Sequence, residues 1–178
     1  MTESTKFHGN ETFKLAKELI QIIKDKCSEI ELFFDNHTNP AAEYKEHATK
    51  PKMFFGLECH DSTTLSFVDI VLKRKKKIEL ICEIEESKCT PKPVIGDVFS
   101  ILLSDHISIK SEPYAFENTK VYIGFIPTGP IKRINDLEVR INLMIEKCFK
   151  KGISVKLITG NNRGEMIETL KNEIIKLI

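Results

Sequence analysis

Two β-forming runs, 65–72 (LSFVDIVL) and 78–85 (IELICEIE), are separated only by the basic stretch Lys73-Arg74-Lys75-Lys76-Lys77. Runs of β-branched and aromatic residues on either side of a charged turn read as a hairpin, which makes the two strands antiparallel neighbours. Side chains two apart in a strand share a face. Phe67, Asp69 and Val71 therefore form one set, and Glu79, Ile81, Glu83 and Glu85 another, opposite the apolar row Ile78, Leu80, Cys82 and Ile84. Away from the turn, Asp69 and the pair Glu83/Glu85 converge on one side. Opposed carboxylates destabilise a sheet unless that face is open to water or holds a cation. Two readings stand at this level. One is a wet sheet face with its glutamates paired to lysines; the other is a site for a hard divalent cation such as magnesium.

The rest of the chain supplies helices and further strands around this hairpin. Leu15, Leu19, Ile22, Ile23 and Ile30 recur at helical spacing, so an amphipathic helix is expected over 11–30, ended by a polar loop with Asn39-Pro40. A strand at 53–59 (MFFGLEC) precedes the hairpin and makes a three-stranded meander with it. Pro93 opens a helix through Val94, Val98, Ile101 and Leu102. Strand 120–126, a helix at 136–150 begun by Asn135 or Asp136 and stopped by Gly152, strand 153–159 and helix 164–177 complete the order α-β-β-β-α-β-α-β-α. At 178 residues, with no repeat or linker, the chain reads as a single domain over 1–178.

Composition excludes several function classes. The 27 basic and 26 acidic residues leave a net charge of +1, so nucleic-acid binding has to come from local clusters. Five dispersed cysteines (Cys27, Cys59, Cys82, Cys89, Cys148) form no CxxC pair and read as reduced thiols of an intracellular, cytoplasmic protein. Five scattered histidines (His8, His37, His47, His60, His106) make no zinc constellation. The polar N-terminus and the lack of a long apolar run point to a soluble chain that is neither secreted nor membrane-bound.

A first helix, a meander with Asp on its second strand and Glu-x-Glu on its third, then a helix and a strand together resemble the core of the PD-(D/E)xK nuclease superfamily. The resemblance covers roughly residues 11–126. In that pattern Asp69 is the first acid, Glu83 follows after thirteen residues, and Glu85 stands where lysine is usual. Some restriction endonucleases of the superfamily carry Glu-x-Glu. A competing register takes Glu86-Ser87-Lys88 as the Glu-x-Lys. The fold implied is α/β, restriction endonuclease-like: an α-β-β-β-α-β core with a mixed central sheet flanked by helices, plus a C-terminal α-β-α extension.

The activity implied by the resemblance is magnesium-dependent hydrolysis of DNA phosphodiesters, with manganese able to substitute and a type II restriction enzyme as the leading subtype. Asp69, Glu83 and Glu85 are the expected catalytic and metal-binding residues, with Glu18 on the first helix as an auxiliary acid. Lys73, Arg74, Lys75, Lys76, Lys77, Lys88 and Lys92 are candidates for the DNA backbone, and a homodimer suits symmetric cutting. The alternative is a catalytically inactive nuclease-fold module that binds nucleic acid or a partner protein. The loop Gly160-Asn161-Asn162-Arg163-Gly164 and the pair Gly96-Asp97 read as connection and helix-cap chemistry.

Overall fold

In a computed structural model, the structure describes residues 10–26, 29–35, 41–149 and 152–178; the sequence features at Asn39-Pro40, Cys27, His8 and His37 lie outside these residues. A five-stranded sheet is built from β1 (Ile30–Phe34), β4 (Ile70–Arg74), β5 (Lys77–Cys89), β8 (Lys120–Pro127) and β9 (Ser154–Thr159), in the order β1-β4-β5-β8-β9. The β1–β4 and β4–β5 pairs are antiparallel, whereas β5–β8 and β8–β9 are parallel. Parallel strands need crossovers; the two helices that make them cover one face of the sheet, and the first and last helices cover the other. That is why β8, VYIGFI, is apolar without alternation and buried throughout.

One face packs against α1 (Asn10–Lys26) and α4 (Arg163–Ile175), with Leu15, Leu19, Met166 and Leu170 over Leu72, Leu80 and Cys82. The other packs against α2 (Pro91–Leu103) and α3 (Ile131–Cys148), with Val94, Val98, Ile141 and Ile145 over Val71, Ile81 and Val121. The second core also takes in a four-stranded antiparallel sheet, β3-β2-β6-β7, made of β2 (Lys52–Phe54), β3 (Thr64–Phe67), β6 (His106–Ile109) and β7 (Glu112–Ala115). Met53, Ile107 and Ile109 are its buried contribution. No helix of the described residues is long and apolar enough to cross a membrane.

The mixed α/β class and the mixed sheet flanked by helices agree with the sequence; several elements differ. Helix α1 ends at Lys26, and Ile30, expected in the helix, opens β1. The 53–59 run keeps only Met53 and Phe54 as strand, in the small sheet, so β1 takes its place beside β4. The 65–72 run breaks at Val68–Asp69 and crosses between sheets, with β3 in one and β4 in the other. Helix α2 begins at Pro91 and α3 follows Pro130, because proline suits a helix start. The β6–β7 hairpin was not expected. Its turn residues, Lys110 and Ser111, both take left-handed φ (52° and 67°) without the Asn-Gly signature of such turns.

Register also corrects the strand faces. Leu72 pairs with Leu80 but Lys73 pairs with Ile78, so Glu79 is an extra residue on β5. The bulge moves Ile78 to the Ile81 face, away from Leu80, Cys82 and Ile84.

Candidate functional site

Asp69 is placed by two backbone hydrogen bonds and one strand pairing at the crossing between sheets. Val68 N–H donates to Pro51 O at 2.9 Å, Asp35 N–H donates to Asp69 O at 2.9 Å, and Ile70 pairs with Cys82 on β5. The last pairing puts Asp69 beside Glu83, and the two are tied reciprocally. Ile84 N–H donates to Asp69 Oδ2 at 2.7 Å, and Asp69 N–H donates to Glu83 Oε2 at 3.3 Å. Each carboxylate is held through one oxygen, which leaves its other oxygen for a ligand.

The structure brings Asp69, Glu83 and Glu85 together, half-buried, and adds acids that sequence reasoning missed. Burial pushes Asp69 up to about 7; the Ile84 N–H opposes this, and the charges of Asp35, Glu86 and Asp97 add to it. Burial also holds Glu83 well above the usual carboxylate range, reinforced by Asp69, Asp97 and Glu85 and opposed by the Asp69 N–H. Asp97 rises to about 6 through burial and the Glu85 charge. The charges acting on these three groups are all carboxylates. Crowded anions of this kind favour either a proton or a hard cation among them.

Hard oxygen donors in excess negative charge fit magnesium or manganese in kind. Their present spacing is not a cage: among the described residues no group of three or more His, Cys, Asp or Glu is arranged to hold a metal ion. Side-chain rotation about Glu83, Glu85 and Asp97 would be needed to converge on one.

Asp97 is not in a helix cap as expected; it lies in the second turn of α2, three residues after the buried Val94 and four before the buried Ile101. That spacing, an acid on an apolar helix face, was the signal that could have marked it. Asp35 was hidden because β1 was not expected: the helix was carried to Ile30 and a polar loop placed after it. Glu86 belongs to the structure rather than to the Glu-x-Lys register. It is buried, and its Oε1 accepts from Glu11 N at 3.1 Å and Thr12 N at 3.2 Å, capping α1. Arg163 is committed to the same residue, donating from Nε to Glu86 O at 3.0 Å. The loop ahead of it is a connection, with Asn162 capping α4 through Glu165 N.

Glu18 is not brought to the cluster: it is exposed and pairs with Lys171 of α4 at 3.2 Å. The basic hairpin tip is also elsewhere. Five residues of β4 separate it from Asp69, about 17 Å at strand rise. Lys73 pairs with Glu31 at 2.5 Å and is only 12% exposed; Lys75 pairs with Glu29 at 3.2 Å, and Lys77 and Arg74 with Glu79 at 3.5 and 3.7 Å. Among the described residues Lys76 is the member of the run without an acidic partner. Lys88 at the end of β5 and Lys92 in the first turn of α2 are exposed and lie at the acidic end of the hairpin. Of the five cysteines, Cys59, Cys82, Cys89 and Cys148 are free thiols.

Comparison of the chain with models of protein families, with curated proteins and with solved structures gives no match to any of them.

Proposed function

We propose that the chain is a metal-dependent DNA endonuclease of the restriction type. The observation that carries this reading is the cluster of carboxylates, with only carboxylates among the charges acting on Asp69 and Glu83, from the middle of β5 toward its carboxyl end, where the antiparallel half of the sheet meets the parallel half. Open α/β sheets bind ligands outside the carboxyl ends of their parallel strands. Asp69 and Glu83 would hold magnesium, or manganese in its place, through the oxygens not used by Ile84 and Asp69 amides. When bound, the ion supplies charge stabilisation at a scissile phosphate and eases ionisation of the attacking water. Glu85, standing in the lysine position, accepts that water's proton, and Asp97 orients Glu85 by repulsion across the α2–β5 contact. Lys88 and Lys92 draw the flanking phosphates to the acidic end. Two copies cut opposite strands.

A second reading draws on two observations: the reciprocal hydrogen bonds that hold Asp69 and Glu83 short of a cage, and glutamate in place of lysine. It makes the chain a non-catalytic module that binds nucleic acid or a partner protein. Incubation with plasmid DNA, single strands and RNA, with magnesium, manganese or EDTA, separates the two. Metal-dependent nicking or linearisation is expected. A parallel melting series should show manganese stabilising the wild type by about 2.7 kcal/mol at a hundred times its dissociation constant, and Asp69→Asn losing that gain. Intact DNA together with no metal-dependent shift would hand the lead to the second reading.

A further inference from the structure

The four-stranded sheet carries a cleft of about 440 Å³ that the acidic cluster does not use. Three lysines line it, Lys50 just ahead of β2, Lys52 at its start and Lys110 in the β6–β7 turn, together with Thr49, Ser108 and Ser111. One acid, Glu58, is also in the lining, and it is bonded to His60 at 2.9 Å. Lys52 reaches no acid closer than the fully exposed Asp61 at 3.9 Å, and among the described residues Lys50 and Lys110 have no ion pair. This contrasts with the hairpin tip, where acids answer the lysines. The cleft therefore keeps an uncompensated positive charge beside hydroxyl donors, the combination that recognises a phosphoryl oxyanion.

Two local features support a built site. Lys50 holds a left-handed φ of 47° outside any hairpin turn, which a side chain with a Cβ adopts at a cost of about 1–3 kcal/mol where the surroundings impose it. Thr49 Oγ1 is buried and makes no hydrogen bond with any described residue. A buried hydroxyl without a partner is costly, and a ligand oxygen would satisfy it once the Thr49 side chain turns into the cleft.

The cleft adjoins the acidic cluster through one backbone seam. Thr49 N–H donates to Phe34 O at 3.2 Å, Asp35 N–H to Asp69 O at 2.9 Å, and Val68 N–H to Pro51 O at 2.9 Å. Thr49, Lys50 and Lys52 thus run alongside the segment that positions Asp35 and Asp69.

We propose that Lys50, Lys52 and Lys110, with Thr49, Ser108 and Ser111, form a phosphate-binding subsite that holds a backbone phosphate of the nucleic-acid strand presented to the acidic cluster. The phosphate chemistry stands on the cleft alone; only its nucleic-acid source rests on the nuclease reading.

The test is fluorescence anisotropy with a labelled DNA duplex in EDTA over a range of salt, so that cleavage plays no part. Wild type, the triple variant Lys50→Gln/Lys52→Gln/Lys110→Gln, Thr49→Val, Asp69→Asn and the hairpin control Lys76→Gln are compared, each checked by melting. The triple variant should bind about tenfold more weakly and flatten the salt slope by up to about 0.9 per lost contact, while Asp69→Asn keeps its slope. Thr49→Val should weaken binding without changing the slope. A second arm measures melting with pyrophosphate. If wild type ignores DNA but pyrophosphate stabilises it and not the triple variant, the subsite stands with a soluble phosphate ligand and the nuclease reading fails. If wild type binds DNA and the triple variant matches it in affinity and slope, the subsite is overturned and the nuclease reading is untouched. No response to either ligand also overturns the subsite.

Discussion

At the tip of the β4–β5 hairpin, Lys73 meets Glu31, Lys75 meets Glu29, and Lys77 and Arg74 meet Glu79. At the open end of the same two strands, Asp69 and Glu83 meet each other, Glu85, Asp97 and further carboxylates. The tip holds the densest run of like charge in the chain, and four of its five cations meet acids in space. At the open end, Asp69, Glu83 and Asp97 are gathered from nearly thirty residues of sequence, and the charges acting on them are carboxylates. Charge along a chain and charge in a fold are therefore different quantities, and unbalanced charge is the better pointer to a ligand.

The largest test of that contrast is at the acidic end. Asp69→Asn and Glu83→Gln should each lower metal-dependent cleavage roughly thousandfold, since each removes a charged donor with little change of volume. Plasmid nicking across a magnesium titration reads this; wild-type turnover in either variant would place the site elsewhere.

Stability should move in the opposite direction. A carboxyl raised from 3.8 to about 7 binds its proton more tightly folded than unfolded. Its contribution is full below the unfolded value and is lost as pH rises through the folded one. In EDTA at pH 8, Asp69→Asn should therefore stabilise the fold, by on the order of 2–4 kcal/mol, and the amide oxygen can still accept the Ile84 N–H. The gain should fade toward pH 4. Urea titrations at both pH values measure it, and an absent gain at pH 8 would show the acids relaxed by solvent.

At the tip the effects should be small. Lys75→Ala and Lys77→Ala should each cost under about 1 kcal/mol, as exposed ion pairs do. Lys73→Ala should cost about 1–2 kcal/mol, because its ammonium lies 5.6 Å from the Phe33 ring centre and 5.2 Å from that of Tyr114. A slope change in DNA binding as large as that from the cleft lysines would mean that the tip reaches the nucleic acid after all.

The convergence of Asp69 with Glu83 was legible because it depends only on a hairpin and on period-two alternation, and both survive in that part of β4 and β5. The identity of the neighbouring strand was not. Ile30 continues the helical spacing of α1, so the helix was carried to 30, and the rest of IELFF, with Asp35, fell into the stretch between that helix and the polar loop. The break at Val68–Asp69 leaves no mark in LSFVDIVL, since either side of it is β-forming and only the partner strand changes. The β6–β7 turn uses Lys110-Ser111 where glycine or asparagine would have announced it. Ion pairing of the basic tip was illegible for a related reason: Glu29 and Glu31 lie more than forty residues away, one just before and one within a strand that was not expected.

The tie at Glu86 has a consequence for how the molecule assembles. One side chain in β5 receives the first amides of α1, 74 and 75 residues upstream, and its own backbone carbonyl receives Arg163, 77 residues downstream. Closing loops of that length is entropically expensive and belongs late on the folding path, after the β4–β5 hairpin and the adjacent α2 have docked. Glu86 therefore acts as a latch on the finished fold. Glu86→Gln should speed unfolding by about tenfold or more and leave the refolding limb of a chevron plot nearly unchanged, the pattern of an interaction absent from the transition state. Refolding slowed by a comparable factor would instead place the meeting of the two chain ends in the nucleus, and make closure of the chain the step that sets the rate.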